Sequence, residues 1–576
     1  MFFLRKYLSL ILIVVISIFS ISSFFTSSFF PIHDSAQVAR VFEMGKALKD
    51  GMFPVRWVFN LGYGYGYPIF NFYAPGAYYI GGFFTLVGFD ALIATKLMMV
   101  IGILLAGVSM YWFAKDLVGK TGAVVASTFY VYAPYHAVDI YVRGAVGEIW
   151  AYAFIPLVAL GFYKIFNNSK LQLEVQNDVW KWVAIGSLGY AGIILSHNLT
   201  AMMVTPFILI ATLLYAYIAY RNQQLYTVRY SLYAIFFGVS LSAFYWLPAL
   251  FEMGYTNVLS QIGGGADFRD HFVCVYQLWE SNWGFGGSIP GCIDGFSFKI
   301  GKLHILYAFL AFFLTFFWKK QKNTSTLYVR IFFLFFLLSV GFMLEMSRPL
   351  WEALSLMAFI QYPWRFLLFA SFFASLLAGF FIAEVSNIIN NTFRIRLVGF
   401  GLTAISVGAL LVFNVKLFVP QHAILKSVSE YTDPRFLQWS ASRISDEYMP
   451  KGFLKPHAPG DVSQKPFAVL RGDAVIQTEE RRTNKIVARI TSSTDSIVLV
   501  NIAYFPFWKV KLDGKQGEVN PINEGIIVQV TEGVRALEMY IEETRIEKAA
   551  NAVSLISVFV LALGIMYTRA RKRRTQ

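Results

Sequence analysis

Uninterrupted apolar runs of about 20 residues recur along this chain from residue 7 to residue 416, and one more lies near 549–568. A run of that length, wound as a helix, matches the hydrocarbon thickness of a bilayer. In lipid every backbone amide must be bonded within its own helix, so repetition of the run commits the chain to a multi-pass helical membrane protein. Spans are expected near 8–30, 91–114, 121–136, 150–166, 182–196, 199–219, 231–250, 303–318, 330–345, 365–386, 397–416 and 549–568, twelve in all. The segment 68–88 is equally apolar but is broken by Pro68, Pro75 and four glycines, so it reads as re-entrant or interfacial. The first run is too long for the apolar core of a cleavable signal and lacks a cleavage site followed by a soluble domain. It reads as a retained helix.

Charge supports that threading. Only 14% of residues are charged and 57% are hydrophobic, whereas soluble domains carry roughly 25% charged residues. The net charge of +15 is not a polyanion-binding patch. With the N-terminus inside, the inner segments hold 20 of the 49 basic residues, the clusters at Lys319, Lys320, Lys322 and at Arg571–Arg574 among them. Only Asp116, Glu174, Asp178 and Glu384 oppose them, which is the positive-inside pattern of a plasma-membrane protein with both termini cytoplasmic. The inner loops contain no phosphate-cradling glycine motif, so chemistry is expected on the outer face, in loops 31–90, 137–149, 251–302 and 345–364. Two cysteines exclude a disulfide-built scaffold, and no Cys/His spacing matches a structural zinc site.

Residues 1–419 thus form a transmembrane module, and 549–576 a final span with a basic tail. Between them, 420–548 carries 17 basic and 17 acidic residues and alternates apolar with polar residues in KIVARI, SIVLV, WKVKL and GIIVQV. Period-two alternation between turn residues predicts an extracytoplasmic all-β sandwich, with Asp513-Gly514 as a two-residue hairpin turn. The stretch 420–465, with YTDPRFLQW and DEYMP, reads as an irregular connector, either a rigid spacer or a sugar-binding surface.

Four clusters carry candidate chemistry. His33 and Asp34 follow the first span. An aspartate there can act as a general base toward an acceptor hydroxyl or ligate a hard cation, and it can equally cap a helix over 35–49. The segment YHAVDIYVRGAVGEIW places His136, Asp139, Arg143 and Glu148 in one short loop. On a helix the first three share a face, where a guanidinium holds a phosphate while the acid orients it, or where Arg143 and Asp139 pair with each other. His197, with Asn198, lies in a turn between spans, as a ligand or a satisfied helix-end residue. Tyr362, Trp364 and Arg365 begin another span, where Arg365 can anchor a phosphate and the aromatics suit an interfacial belt. The run GYGYGYPIFNFYAPGAYY (62–79) suits either sugar stacking or a belt. Cys274 and Cys292 share loop 251–302 and can close it in an oxidising exterior, or remain two small unpaired residues.

The order of these features resembles the GT-C superfamily of multi-pass glycosyltransferases. It is most similar to the membrane family named "6-pyruvoyl-tetrahydropterin synthase-related" and also resembles the teichoic-acid-glycosylating transferases. The matching residues are HD at 33–34, YGYPIFNFYAP at 65–75, YVRGAVGE at 141–148, SHN at 196–198, QYPWRF at 361–366 and YFPFWKVKLDGK at 504–515. The pterin name carries no chemistry here, since the 7 histidines are widely scattered. The resemblance implies transfer of a sugar from a polyprenyl-phosphate donor to an acceptor hydroxyl of a cell-surface glycan, lipid or protein, with inversion. It makes Asp34 the catalytic or metal-linked acid, assisted by His33, Asp139 and Glu148. Donor phosphate falls to Arg143, Arg365, His136 and His197, and acceptor or lipid contact to Tyr362 and Trp364. A divalent cation, Mg or Mn, would sit on Asp34, although Asp139 and Glu148 stand apart where some relatives have a DxD-like pair. The alternative reading is a transporter or flippase of a lipid-linked glycan, but the two halves show no internal repeat. A third, an anchoring protein for the sandwich, needs neither Asp34 nor twelve spans.

Overall fold

The computed structural model describes residues 2–168, 179–261, 263, 266–317, 324–388 and 392–575. The loop residues Lys170, Glu174, Asp178, Lys319, Lys320 and Lys322 lie outside the described residues. In chain order the helices are α1 (Phe2–Ile21), α2 (Gln37–Lys49), α3 (Ile69–Phe72), α4 (Gly76–Leu86), α5 (Ala91–Val131), α6 (Pro134–Val138), α7 (Val146–Asn168), α8 (Val179–Ser196) and α9 (Asn198–Arg221). They continue as α10 (Val228–Leu241), α11 (Ala243–Glu252), α12 (Lys302–Phe317), α13 (Thr324–Met343), α14 (Arg348–Ala353), α15 (Leu367–Ile388), α16 (Thr392–Asn414), α17 (Val428–Thr432) and α18 (Arg545–Thr575).

Among the described residues nine helices are long and apolar enough to cross a membrane, and α10 with α11, bent by 65°, makes a tenth. The chain is therefore a multi-pass membrane protein. Helix α5 exceeds any bilayer's need and folds back at Gly119 (φ 70°, ψ −177°), a conformation open to glycine. Ser127 Oγ donates to Gly107 O at 2.6 Å, so the two halves of α5 run antiparallel. Counting that hairpin as two spans and the shorter α12 as another returns the twelve segments read from hydropathy. Helix α15, apolar on every side, is central, with 89% of its apolar stretch buried, against 22% for α16 and for α18 at the periphery. It crosses α5 closely because both helices carry glycine at the crossing: a Cβ on Gly122 would lie 2.6 Å from Gly379 O.

The segment 68–88 is not a span. It forms α3 and α4, and α4 packs on α2 where Gly45 admits Thr85 and Gly82 admits Met44. The aromatic run before it is not a belt either: Tyr63, Tyr67, Phe70, Phe72 and Tyr78 are all buried. Positive φ at Gly62, Tyr63, Gly64 and Gly66 curls this run into a tight turn beneath the C-terminal domain. Trp57 fills that turn, edge-on to Phe507 and Trp508 at 5.6 and 5.7 Å. A Cβ on Gly66 would sit 2.1 Å from the Trp57 ring, at φ +85°. Gly66→Val is therefore expected to destabilise the protein by about 3 kcal/mol or more, measured as a lowered thermal midpoint in detergent.

The C-terminal domain has strands β1 (Phe467–Arg471), β2 (Ala474–Arg482), β3 (Lys485–Ser492), β4 (Ser496–Val500), β5 (Trp508–Leu512), β6 (Lys515–Gly517), β7 (Asn520–Ile522), β8 (Gly525–Val530) and β9 (Gly533–Ile541). They pair antiparallel in two sheets, ordered β1-β4-β8-β7 and β2-β3-β9-β5-β6. Asp513 and Gly514, both at positive φ, make the β5–β6 hairpin turn. Alternate residues face inward, as the period-two pattern requires: Ile486, Ala488 and Ile490 on β3, and Leu537 and Met539 on β9, are fully buried.

Polar side chains of the first loop hold sandwich and helices together. Thr483 donates through both N and Oγ1 to Asp50 Oδ2, each at 2.7 Å. The buried Glu43 accepts from Phe59 N, Asn60 N and Asn60 Nδ2. Arg56 lies 3.2 Å from Glu547 at the start of α18 and donates to Asn71 Oδ1 at 2.9 Å. Loop 31–90 is thus a structured hub rather than an extended loop.

Candidate active site

Where the helices meet the connector from α16 to β1, a cavity of about 530 Å³ opens on the β-domain side. His33, Asp34, Arg40, Arg143, Glu148, His197, Tyr362, Arg365, Ser445 and Glu447 are among the residues lining it. The backbone brings the first two sequence clusters together: His33 N donates to Val142 O at 2.9 Å and Asp34 N to Arg143 O at 3.1 Å. Gly144, in the left-handed region at φ +61°, makes that approach possible, with Ile32 where a Cβ would be.

Asp34 does not cap α2, whose N-cap is Ala36 with no side-chain bond. The cap reading fails because the chain between them takes an extra turn. Asp34 Oδ2 instead accepts from Arg40 Nη1 at 2.6 Å and Gln37 Nε2 at 3.0 Å, while Oδ1 is buried with no hydrogen-bond partner. Tyr78 donates to Gln37 Oε1 at 2.6 Å, and Arg40 lies over the Tyr73 ring at 4.7 Å. His33 Nε2 donates to Phe285 O at 3.1 Å. Arg40 and Gln37 were not singled out in the sequence, although both lie within two turns of Asp34.

The second cluster divides. Residues 139–143 form a π-type turn after α6, so His136, Asp139 and Arg143 do not share one helical face. His136 is fully buried, bonded through Nδ1 to Val131 O and stacked on Tyr152 at 4.2 Å, away from the cavity. Its proposed phosphate role is thereby removed. Asp139 is also fully buried and does not line the cavity. Arg143 is bound at 2.5 Å to Asp139 and at 2.7 Å to Glu148, while Tyr135 donates to Glu148 at 2.7 Å. Its guanidinium is committed to neutralising two buried carboxylates, leaving little charge for a phosphate.

His197 lines the cavity and is a satisfied helix-end residue, accepting as the N-cap of α9 from Thr200 N. Burial pushes its imidazole down to about 4, so at neutral pH it offers hydrogen bonding and not charge. Arg365 donates through Nη1 to Ile360 O at 2.7 Å. Its Nε is 3.6 Å from Glu148 and has no hydrogen-bond partner. Tyr362 stacks on Trp364 at 5.0 Å and lines the cavity. Trp364 is not a belt residue: it is 3% exposed and lies under Arg143, with 4.7 Å from guanidinium to ring. Cys274 and Cys292 are joined as a disulfide across the loop that carries Phe285.

The connector, read from sequence as either a rigid spacer or a sugar-binding surface, adds a group that was not singled out there. Glu447 lines the cavity and accepts from Ser445 Oγ at 3.0 Å. Burial, reinforced by the nearby Asp34 charge, holds its carboxyl above the usual range. Its signal was the DEYMP run, an acidic pair beside aromatics in an otherwise irregular stretch. Among the described residues no three His, Cys, Asp or Glu side chains gather as a metal site. Asp34 gives Oδ2 to Arg40 and Gln37 and keeps Oδ1 unpartnered, one oxygen left for a cation, and no step is derived through one.

No family model matches the chain. It is 24% identical over 285 residues to an uncharacterized protein of Lactococcus lactis subsp. cremoris, a match covering 47% of this chain and 44% of that one. Two solved structures of the Archaeoglobus fulgidus oligosaccharyltransferase are also similar. One, tethered with an acceptor peptide, is 13% identical with a TM-score of 0.46, and covers 81% of this chain and 62% of that one. The other, in complex with an inhibitory peptide and a dolichol-phosphate, is 11% identical with a TM-score of 0.45 over the same shares, 81% and 62%. The chain therefore spans less than half of the lactococcal protein and about three fifths of the archaeal enzyme.

Proposed function

We propose that this chain is a GT-C-type membrane glycosyltransferase that moves a sugar from a polyprenyl-phosphate donor to an acceptor hydroxyl on the outer face. The observation that carries the reading is that the polar cavity and an apolar groove draw on the same two stretches of chain, 197–224 and 361–373. Helices α9 and α15 are entered at the cavity through His197, the N-cap of α9, and Arg365, in the turn before α15. Further along, they present Val204, Phe207, Ala211, Phe369 and Phe373 to an apolar groove of about 240 Å³, completed by α7 and α13. A lipid phosphate held by Arg365, whose Nε has no hydrogen-bond partner, would lay its prenyl chain into that groove. The sugar would then lie toward Asp34.

In this reading Asp34 holds a negative charge against Arg40 and faces the positive charge that develops at the anomeric carbon. Arg365, with a hydrogen bond from His197, stabilises the departing phosphate. The acceptor attacks from the face opposite the phosphate and inverts the centre. Hydroxyls of a cell-surface glycan, lipid or protein fit, teichoic acids included.

The test is transfer by purified protein in liposomes supplied with labelled polyprenyl-phosphate sugars and hydroxyl acceptors. Labelled product is expected. Labelled lipid that crosses the bilayer without product would favour a flippase instead. Ala211→Trp, which fills the groove, is expected to raise KM for long-chain donors about tenfold and to spare short-chain ones; comparing both donors checks it.

A further inference from the structure

The six charged side chains that line the cavity do not all face a ligand. Asp34 and Arg40 pair with each other, and Arg143 is shared between Glu148 and the deeper Asp139. Arg365, 3.6 Å from Glu148 but with its Nε free of hydrogen bonds, and Glu447 are the least engaged, one cation and one anion from different elements of the fold. Among the described residues Glu447 makes no ion pair, and its carboxylate accepts from Ser445 Oγ and from its own backbone N–H. The charged and titratable groups around it are Asp34 and Arg40, with Tyr67 and Tyr73 from the first loop and Tyr448 beside it.

Glu447 is also firmly placed. Tyr63 donates to the adjacent Asp446 at 2.6 Å, and Lys455 pairs with the same carboxylate at 2.9 Å. Tyr448 N donates to Tyr67 Oη at 3.3 Å, and the Tyr448 ring stacks on Phe72 at 5.5 Å. The next residue, Met449, accepts through its carbonyl from Asn257 N at 3.2 Å. Contacts to its neighbours from three separate segments therefore hold the backbone that places Glu447 on the cavity wall.

We infer that Glu447 is the general base of the reaction, taking the proton of the acceptor hydroxyl. The inference rests on the transferase reading above and adds to it a division of labour. Asp34, already engaged by Arg40 and Gln37, supplies fixed charge, and Glu447 supplies proton transfer. As the acceptor oxygen bonds to the anomeric carbon, its O–H bond breaks and the proton passes to the Glu447 carboxylate. The bond from the anomeric carbon to the phosphate oxygen breaks with its electron pair leaving on the polyprenyl phosphate. The proton then returns to water through the cavity mouth, and the carboxylate is restored. The acceptor is thereby placed on the connector side and the donor on the helix side.

The experiment measures transfer by wild type, Glu447→Gln and Ser445→Ala across pH 4–9, with donor and acceptor varied separately. Wild type is expected to lose kcat as pH falls through the Glu447 titration, because protonation removes the base. Glu447→Gln is expected to lower kcat by about 10²–10³-fold, to leave donor KM within about twofold and to abolish that acidic limb. Ser445→Ala removes a hydrogen bond to the anion, so the limb should move to higher pH by roughly half a unit to one unit. This variant decides the matter if Glu447→Gln fails to accumulate, since a purely structural role would leave the limb in place. Wild-type transfer with an unchanged limb in Ser445→Ala, or with undiminished kcat in Glu447→Gln, overturns the role of Glu447 alone. Absence of transfer by wild type with every donor overturns the transferase reading and this inference with it.

Discussion

Asp34→Asn is expected to lower sugar transfer by about 10³-fold, roughly 4 kcal/mol of transition-state stabilisation. The substitution keeps size and shape and removes the charge that, in the proposed reaction, faces the reacting carbon. It also leaves Arg40, whose side chain is 2% exposed, without its counter-ion. Some loss of stability should accompany the loss of rate, so the comparison is made at matched folded protein. Asp34→Glu separates the two effects. It preserves a partner for Arg40 and should keep the thermal midpoint within a few degrees, yet the displaced carboxylate should still cost about 10²-fold in kcat. Transfer unchanged in Asp34→Asn would remove this residue from the chemistry.

Arg143→Met is expected to have the larger effect on folding. One guanidinium serves two carboxylates, Asp139 and Glu148, that are 0% and 1% exposed. Methionine replaces the bulk but leaves buried charge uncompensated, a loss of about 3–5 kcal/mol. Glu148 would retain Tyr135 and the Arg365 guanidinium at 3.6 Å, whereas Asp139 would lose the partner of its Oδ1. Adding Asp139→Asn should therefore restore much of the thermal midpoint, and adding Glu148→Gln should restore less. Equal rescue by both, or no loss in Arg143→Met, would contradict this assignment of the pairs.

Much of the site was visible as clusters, and folding sorted the members. His33-Asp34, Glu148, His197, Tyr362 and Arg365 do converge on one cavity. His136 and Asp139 fell in one motif but point into the packed interior, where His136 stacks on Tyr152 and Asp139 pairs with Arg143, and Trp364 is buried beneath Arg143. Arg143 is at the cavity yet electrically committed. Arg40, Gln37 and Glu447 had no motif of their own. Their relevance comes from contacts with Asp34 or from sharing its cavity across the chain.

Most of the apolar helices, the break at 68–88, and the antiparallel sandwich with its Asp513-Gly514 turn were legible in the sequence alone. Each of these follows from local or periodic constraints: the thickness of a bilayer, the geometry of proline and glycine, and the two-residue repeat of a strand. Only the tertiary structure decided which charges neutralise one another and which remain for a ligand. Pairing of charges depends on distances of a few ångströms between residues far apart in the chain, such as Asp34 with the Arg143 backbone or Tyr63 with Asp446. Hydropathy and spacing carry no record of those distances.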